Sequence, residues 1–267
     1  MDSMRRRLLA ILEGRYFLYF LIIRDLKLRY AGLSLGVLWN LIHPFYLMVL
    51  YTLVFGFIFK IRFKPSGDTF DFVIYFFAAF IPWLYFQDAL LKGINGLIDN
   101  SHFIKKTGKP LDIYIIAALF SPLVPFFFSL FILWGLLVFT GKFVLISLLM
   151  VTIPFTVEFI FTAGLCFLLA PLNVFFRDVS QMATVGLNTL FFLTPIVYPT
   201  SMVPDVFKFY WRVNPLYGLV EAYRMVLIDG RIDFVNSLLY PFLFGIVAFI
   251  VGYWVFLRTE EDLKDLL

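Results

Sequence analysis

Six long apolar stretches, separated by short polar segments, set the pattern of this chain. They cover residues 34–59, 70–91, 113–139, 143–170, 181–198 and 234–257. Each is about 18 to 28 residues long, against the ~20 apolar residues that a helix needs to cross a bilayer. The pattern predicts an all-α integral membrane protein with six transmembrane helices in one domain over 34–257.

The segment 200–233 interrupts this pattern, because it is too polar for a crossing and too apolar for a free loop. Prolines at 204 and 215, the second preceded by Asn214, divide it into two short helices. Irregular backbone persists at membrane depth only where protein or a water-filled cavity surrounds it. We therefore expect a re-entrant hairpin between the fifth and sixth crossings, which dips into the outer leaflet at the mouth of a path. Its candidate residues are Trp211, Asn214, Pro215, Glu221 and Arg224.

The N-terminal region is basic, and its apolar run at 16–23 is too short to span a bilayer. We interpret residues 13–30 as an amphipathic helix on the cytoplasmic surface, within a cytoplasmic region 1–33. A simple basic flank that orients the first crossing is compatible with the same pattern.

Composition supports the membrane assignment. Hydrophobic residues make up 62% of the 267 positions, charged residues 15%, and the mean hydropathy is +0.92. A soluble domain is close to half apolar and a quarter charged, so that class is excluded. Of the 22 Lys and Arg residues, about 14 fall on the side that holds both termini, which the positive-inside rule places in the cytoplasm. Residues 258–267 then form a cytoplasmic tail.

The sequence contains no recognisable catalytic constellation. It lacks a phosphate-binding Gly-rich loop ending in Lys-Ser/Thr, a Gly-x-Ser-x-Gly turn and paired cysteines, since Cys166 is the only cysteine. We expect a transport subunit without metal or cofactor, whose energy source lies on another chain. Glu158 is the lone carboxylate near the middle of a crossing. Because ion-driven carriers use carboxylates inside the membrane, Glu158 leaves such a carrier as an alternative function. An integral-membrane enzyme is a further alternative.

Two polar and aromatic stripes follow helical spacing on the first and fifth crossings. They contain Trp39, Asn40, His43 and Tyr51 on the first, and Gln181, Asn188 and Phe192 on the fifth. One interpretation is that the stripes line a polar and aromatic conduit. The other is ordinary helix packing through small and amide side chains. The two stripes together favour the conduit, and its aromatic rings would offer a sugar weakly binding faces.

Two cytoplasmic segments, about 99–110 and 172–180, combine apolar anchors with charges, which is typical of protein interfaces. Their candidate residues are His102, Phe103, Lys105, Lys106, Phe175, Phe176, Arg177 and Asp178. The alternative is that they are ordinary basic turns, and this is stronger for the lysines than for the FFRD sequence at 175–178.

Several short motifs occur in a fixed order along the whole chain. Residues 24–30 read RDLKLRY, 34–39 read SLGVLW before Pro44, 176–179 read FRDV, and 194–198 read TPIVY before Asn214-Pro215 and Arg224. This order resembles the membrane subunit of polysaccharide-exporting ABC transporters of the Wzm, KpsM and TagG kind, and is most similar to the O-antigen permease. One departure is that residues 107–111 read TGKPL where many relatives have Phe-Pro-basic, so the resemblance fixes the boundary of that coupling segment only to within several residues.

The resemblance implies a homodimer in the bacterial inner membrane, bound to two copies of an ATPase that carries ATP and Mg. Such a transporter exports an undecaprenyl-pyrophosphate-linked glycan, with the segments at 99–110 and 172–180 coupled to the ATPase. The resemblance also implies that the first and fifth crossings lie along the channel and that the hairpin at 200–233 is a periplasmic gate. Arg24 and Arg29 are then candidates to bind the lipid pyrophosphate, because arginine pairs bidentately with phosphate. Teichoic acid, capsule or a small hydrophobic compound are alternative cargoes of the same architecture.

Overall fold

The computed structural model describes residues 7, 13–29, 31–58, 69–200, 204–230 and 233–267. These residues are helical or lie in short connections, with no strand among them, so the all-α prediction is confirmed. The first six helices are α1 (Arg15–Arg29), α2 (Trp39–Tyr51), α3 (Thr69–Asp99), α4 (Ser101–Thr107), α5 (Asp112–Phe120) and α6 (Leu123–Phe139). The next six are α7 (Ser147–Met150), α8 (Thr152–Phe175), α9 (Asp178–Leu193), α10 (Lys208–Val213), α11 (Pro215–Arg224) and α12 (Val235–Leu266).

Within the described residues, five helical segments are long and apolar enough to cross a membrane. They are Trp39–Ile58, Phe70–Asp99, Asp112–Phe139, Ser147–Phe175 and Val235–Leu266. The predicted fifth crossing corresponds to α9, which has 16 residues and is therefore about 24 Å long. A bilayer core is about 30 Å thick. The chain is thus a multi-pass membrane protein, and a crossing at α9 stays a prediction.

Helix α9 ends earlier than the apolar run in the sequence. Thr194 has extended backbone angles, φ −89° and ψ 134°, and Pro195 follows it. A residue that precedes proline is disfavoured in the helical conformation, which explains the early end. The remaining apolar residues to 198 form a turn instead of a last helical turn.

Helix α3 is the centre of the bundle. It packs against α5, α6, α8, α9 and α11, and its buried surface combines aromatic, aliphatic and small side chains. Phe76, Ala78, Ala79 and Ala89 are wholly inaccessible to solvent. Because α3 contacts elements from both halves of the chain, it fixes where the polar sites at its two ends lie.

Helices α8 and α12 approach each other closely through glycines. A Cβ atom on Gly252 would overlap the carbonyl oxygen of Gly164, and one on Gly164 would overlap the backbone at Phe249. Gly245 faces Phe161 in the same way, because a Cβ atom added to Gly245 would lie 3.2 Å from the Phe161 Cα. Small residues allow this backbone proximity in membrane helix pairs.

The polar residues gather at the two ends of the bundle. Helices α1 and α4 and the α8–α9 corner meet at the end of α3 near Asp99. At the opposite end, the start of α3 lies against the turn that follows α9 and against α11. The segment 204–230 contains two short helices on either side of Asn214, as the prolines predicted, and its depth in a membrane stays a prediction.

Candidate transport path and coupling surfaces

The stripe predicted on α9 faces away from the rest of the chain. Gln181, Asn188 and Phe192 are all exposed, and 70% of the Phe192 surface is accessible. Leu187, on the opposite face, is buried in the core. The structure therefore leaves an exposed polar and aromatic face on a helix whose other face is packed.

The stripe predicted on α2 divides between two environments. Asn40 is 2% exposed and Tyr51 packs on Phe76 and Phe80, with ring centroids 4.7 and 5.3 Å apart. For Asn40 and Tyr51, these contacts agree with the interpretation that the stripe serves ordinary helix packing. Trp39 is half-buried, and His43 is exposed.

His43 lines a cavity of about 220 Å³ between α2, α3 and α6. The same cavity is lined by Arg29 and Asp88. Of the α2 stripe, His43 is thus the residue that lines this cavity, whose walls are mostly apolar apart from His43, Arg29, Asp88 and Ser129.

Arg224 attaches the segment 204–230 to the end of α9 and the start of α3. Its Nη2 donates to the carbonyl oxygens of Pro195 at 2.8 Å and Ile196 at 3.1 Å, and its Nη1 donates to Glu221 at 2.9 Å. Its guanidinium lies 3.6 Å from the ring centroid of Tyr75. Its Nε also donates to the Tyr75 carbonyl oxygen at 3.4 Å, so the buried charge is held by an acidic partner, three carbonyls and an aromatic face.

The Asn214–Pro215 turn is fixed by hydrogen bonds at both sides. The Asn214 side chain accepts from the Leu216 amide at 3.0 Å and donates to Thr194 at 3.0 Å, and Pro215 occupies the first turn of α11. Asparagine before a first-turn proline is a favoured helix start. Trp211 stacks on Tyr217 with ring centroids 5.5 Å apart. The five predicted gate residues thus belong to one packed unit.

Glu158 has a partner that the sequence analysis did not identify. The hydroxyl of Tyr223 donates to its carboxylate at 2.5 Å, and both side chains are buried. Tyr223 lies next to Arg224, so neighbouring side chains of α11 bind α8 on one side and the α9 turn on the other. Within the part of the chain that the structure describes, Glu158 forms no ion pair, and Tyr223 is the side chain that donates a hydrogen bond to its carboxylate.

Helix α4 presents its charges outward and its apolar residues inward. His102, Lys105 and Lys106 are exposed, whereas Ile104 is buried. Phe103 packs under the guanidinium of Arg24, with 4.7 Å between Cζ and the ring centroid. The free surface of α4 is therefore cationic, and Phe103 contributes to its attachment to α1.

The corner between α8 and α9 exposes the predicted FFRD sequence. Phe175 is 38% and Phe176 67% exposed, and Arg177 and Asp178 are also exposed. Buried Asn173 holds the corner on α3, since its side chain donates to the Ile94 carbonyl at 3.1 Å and accepts from the Ser180 amide at 3.1 Å. The signal in the sequence that could have revealed this attachment of the corner to α3 was an asparagine within an apolar helix.

Helix α1 is joined to α3 by charged side chains. Arg29 forms an ion pair with Asp88, Asp25 forms one with Lys92, and Arg24 donates to Asn100. Both arginines predicted to bind pyrophosphate thus have protein partners. Phe17 also packs on Tyr114 of α5, so α1 lies along the bundle.

The pKa of Asp25 is lowered from its ordinary value. Burial alone would raise it, but the hydrogen bonds from Lys92 and Ser121 and the charges of Lys92 and Arg29 outweigh burial. Asp25 is therefore ionised near neutral pH, and the ion pair contributes to the attachment of α1.

Comparison with known proteins agrees with this architecture. Residues 16–228 match the family model described as ABC-2 type transporter. An O-antigen export system permease protein from Klebsiella pneumoniae is 26% identical over 91% of this chain and 92% of the relative. One from Myxococcus xanthus is 24% identical over 98% of this chain and 99% of the relative. The polysialic acid transport protein KpsM of Escherichia coli is 24% identical over 91% of this chain and 92% of the relative. The chain, matched over most of its length, belongs to the ABC-2 type transporter family.

Proposed function

We propose that this chain is the permease subunit of an ABC transporter that exports a lipid-linked polysaccharide of the O-antigen type across the bacterial inner membrane. The observation that carries the proposal is the similarity to two O-antigen export permeases over more than nine-tenths of both chains. The exposed aromatic and amide face of α9 supports it, because a path for sugar needs weakly binding polar and aromatic walls. An undecaprenyl pyrophosphate is the proposed lipid.

In this proposal two copies of the chain form the channel between them. The exposed face of α9 supplies Gln181, Asn188 and Phe192 to the path, and α2 supplies His43 and Trp39. Asn40 and Tyr51 support the wall from behind, in keeping with their burial. Six crossings, of which the fifth is made by α9 with the turn that follows it, place both termini in the cytoplasm. The segment 204–230 is the proposed periplasmic gate.

Two copies of a separate ATPase, carrying ATP and Mg, drive export in the proposed assembly. Phe175, Phe176, Arg177 and Asp178 form one proposed docking surface, and they suit it because exposed aromatics rimmed by charge are frequent interface anchors. The exposed His102, Lys105 and Lys106 form the other. In this proposal Phe103 lies beneath the docking surface and supports it by packing against Arg24 of α1.

We further propose that Arg24 and Arg29 meet the lipid pyrophosphate at the membrane surface. Arginine suits phosphate, and both side chains lie on α1. Reversing both charges while the chain still inserts should abolish export. Normal export by that variant would refute this role without affecting the assignment of the transporter.

The test of the main proposal is a pull-down of the tagged chain from its native membranes in mild detergent, together with analysis of the cell surface. We expect an ATPase in equal amount with the permease, and loss of surface O-antigen when the gene is deleted. Recovery of the permease alone, with vesicle transport that is indifferent to ATP, would refute the proposal.

A capsular polymer is the second candidate cargo, because the polysialic acid transport protein aligns over 91% of this chain. Deletion would then remove the capsule and leave the O-antigen intact. Teichoic acid and small hydrophobic compounds are distinguished in the same experiment by what accumulates in the cytoplasm.

A further inference from the structure

A cavity of about 380 Å³ lies between α1 and the neighbouring parts of α3, α4 and α5. Its size falls within the ~300–1,000 Å³ range of small-ligand pockets. Leu21 and Leu28 of α1 form part of its apolar wall. The cavity therefore combines apolar and charged walls, as a lipid head group with the start of its acyl chains requires.

The charged walls of this cavity are balanced. Arg24 and Lys92 line it as cations, and Asp25 and Asp99 line it as carboxylates. Lys92 and Asp25 form an ion pair with each other. A ligand with several negative charges would be repelled by the two carboxylates. A ligand with one positive and one negative charge can place each charge beside a side chain of opposite sign.

One buried polar atom of the cavity lining is left without a partner. The Nε of Arg24 is buried and has no acceptor, although Nη2 of the same guanidinium donates to Asn100. A ligand that supplies an acceptor to this N–H gains by binding there, because a buried donor without an acceptor is unfavourable. Asp99, at the end of α3, lines the same cavity with an exposed carboxylate that a cationic group of a ligand can reach.

We propose that this cavity binds the head group of a zwitterionic phospholipid, whose phosphate accepts from Arg24 and whose primary ammonium donates to Asp99. The inference rests on the proposed position of α1 at the membrane surface. It goes beyond the proposed function, because it gives Arg24 to a lipid of the surrounding bilayer in place of the substrate pyrophosphate proposed above, and leaves the pyrophosphate to Arg29. Such a lipid wedges between α1 and α4 where Arg24 joins the two helices.

The experiment measures which lipids stay bound to the purified permease–ATPase complex in native mass spectrometry. Phosphatidylethanolamine, phosphatidylcholine and phosphatidylglycerol are added in equal amounts. We expect phosphatidylethanolamine to be retained about tenfold more than phosphatidylglycerol, the difference that one charge-assisted hydrogen bond makes. Asp99→Asn should remove this preference, and Arg24→Gln should lower retention of all three lipids. Asp262→Asn, on the exposed end of α12, is the matched control and should behave as the unaltered protein.

Several outcomes would overturn the inference. Equal retention of the three lipids by the unaltered protein, or an unchanged preference in Asp99→Asn, would show that the carboxylate does not meet an ammonium. Displacement of phosphatidylethanolamine by a polyprenyl pyrophosphate added in equal amount would assign the cavity to the substrate. Displacement by millimolar inorganic phosphate would reduce the site to a phosphate contact. Lipid retention requires no export, so these results are separate from the pull-down and surface tests of the proposed function.

Discussion

At the scale of single residues, the hydrogen bond from Tyr223 to Glu158 offers a test of how α11 is held on α8. Tyr223→Phe leaves a buried carboxylate without its donor, and we expect the free energy of unfolding to fall by about 1–3 kcal/mol. Glu158→Met should cost a similar amount, because it leaves the hydroxyl unpaired. The measurement is denaturation of the purified protein in detergent.

The double variant Glu158→Met with Tyr223→Phe removes both polar groups and should recover most of the lost stability. Replacing both members of a buried pair by apolar groups is close to neutral, whereas removing one leaves a desolvated partner. Losses that simply add in the double variant would mean that the two side chains do not depend on each other.

The sequence identified Arg224 but not Tyr223, and the reason is physical. A charge inside an apolar segment is conspicuous, because it needs partners wherever it lies. A tyrosine among fourteen looks like an interfacial aromatic until its hydroxyl is seen against a carboxylate 65 positions earlier. Asn40 was visible as a polar residue, but only the packing shows that it points into the protein.

At the scale of helices, the contact between α8 and α12 depends on the absence of side chains. Gly252→Ala places a methyl group against the Gly164 carbonyl and forces the helices apart, so we expect a loss of about 1–3 kcal/mol in stability. Gly135→Ala on α6 is the matched control, since nothing lies within 4 Å of its Cβ position. Thermal unfolding of the two variants side by side measures the difference. Equal stability of both would mean that the close approach contributes nothing.

The attachment of α1 should depend on pH through Asp25. Its pKa is lowered in the folded protein, so the ionised form is favoured there. The contribution is complete above the ordinary value of 3.8 and is lost as pH falls through the lowered value. We expect hydrogen exchange of α1, corrected for intrinsic rates, to accelerate in that window. Asp25→Asn should accelerate it already at pH 7 and reduce the pH dependence, whereas Glu13→Gln, on an exposed side chain, should do neither.

Element boundaries show where hydrophobic pattern stops being informative. The pattern identified every helix that is long enough to cross, because burial in lipid or protein demands a continuous apolar run. It extended the fifth stretch to residue 198, whereas the helix ends at Leu193. Hydropathy does not register the local preference of Thr194 before Pro195 for extended backbone. Hydropathy also could not predict the ion pairs between α1 and α3, because they join residues 59 or more positions apart.

At the scale of the whole molecule, the two ends of the bundle should differ in what they bind. Phe176→Ala at the α8–α9 corner removes an exposed anchor at the proposed cytoplasmic end, and we expect at least a tenfold loss of ATPase in the pull-down. Phe209 has a similar exposure, 71%, at the other end of the bundle. Phe209→Ala should leave ATPase recovery unchanged. Equal losses in both variants would contradict the proposed orientation.

The exposed face of α9 makes the proposed assembly of two copies testable in the membrane. Val185 lies on that face and is 57% exposed, while the only native cysteine, Cys166, is buried. In a symmetric dimer a residue meets its own copy only where it lies near the two-fold axis. The proposed assembly puts the exposed face of α9 at that axis when the path is closed, so Val185→Cys should form a disulfide-linked dimer on mild oxidation. Val138→Cys on α6, which is 60% exposed, is the control and should stay monomeric. If both variants cross-link equally, random collisions explain the dimer, and α9 does not line a shared path.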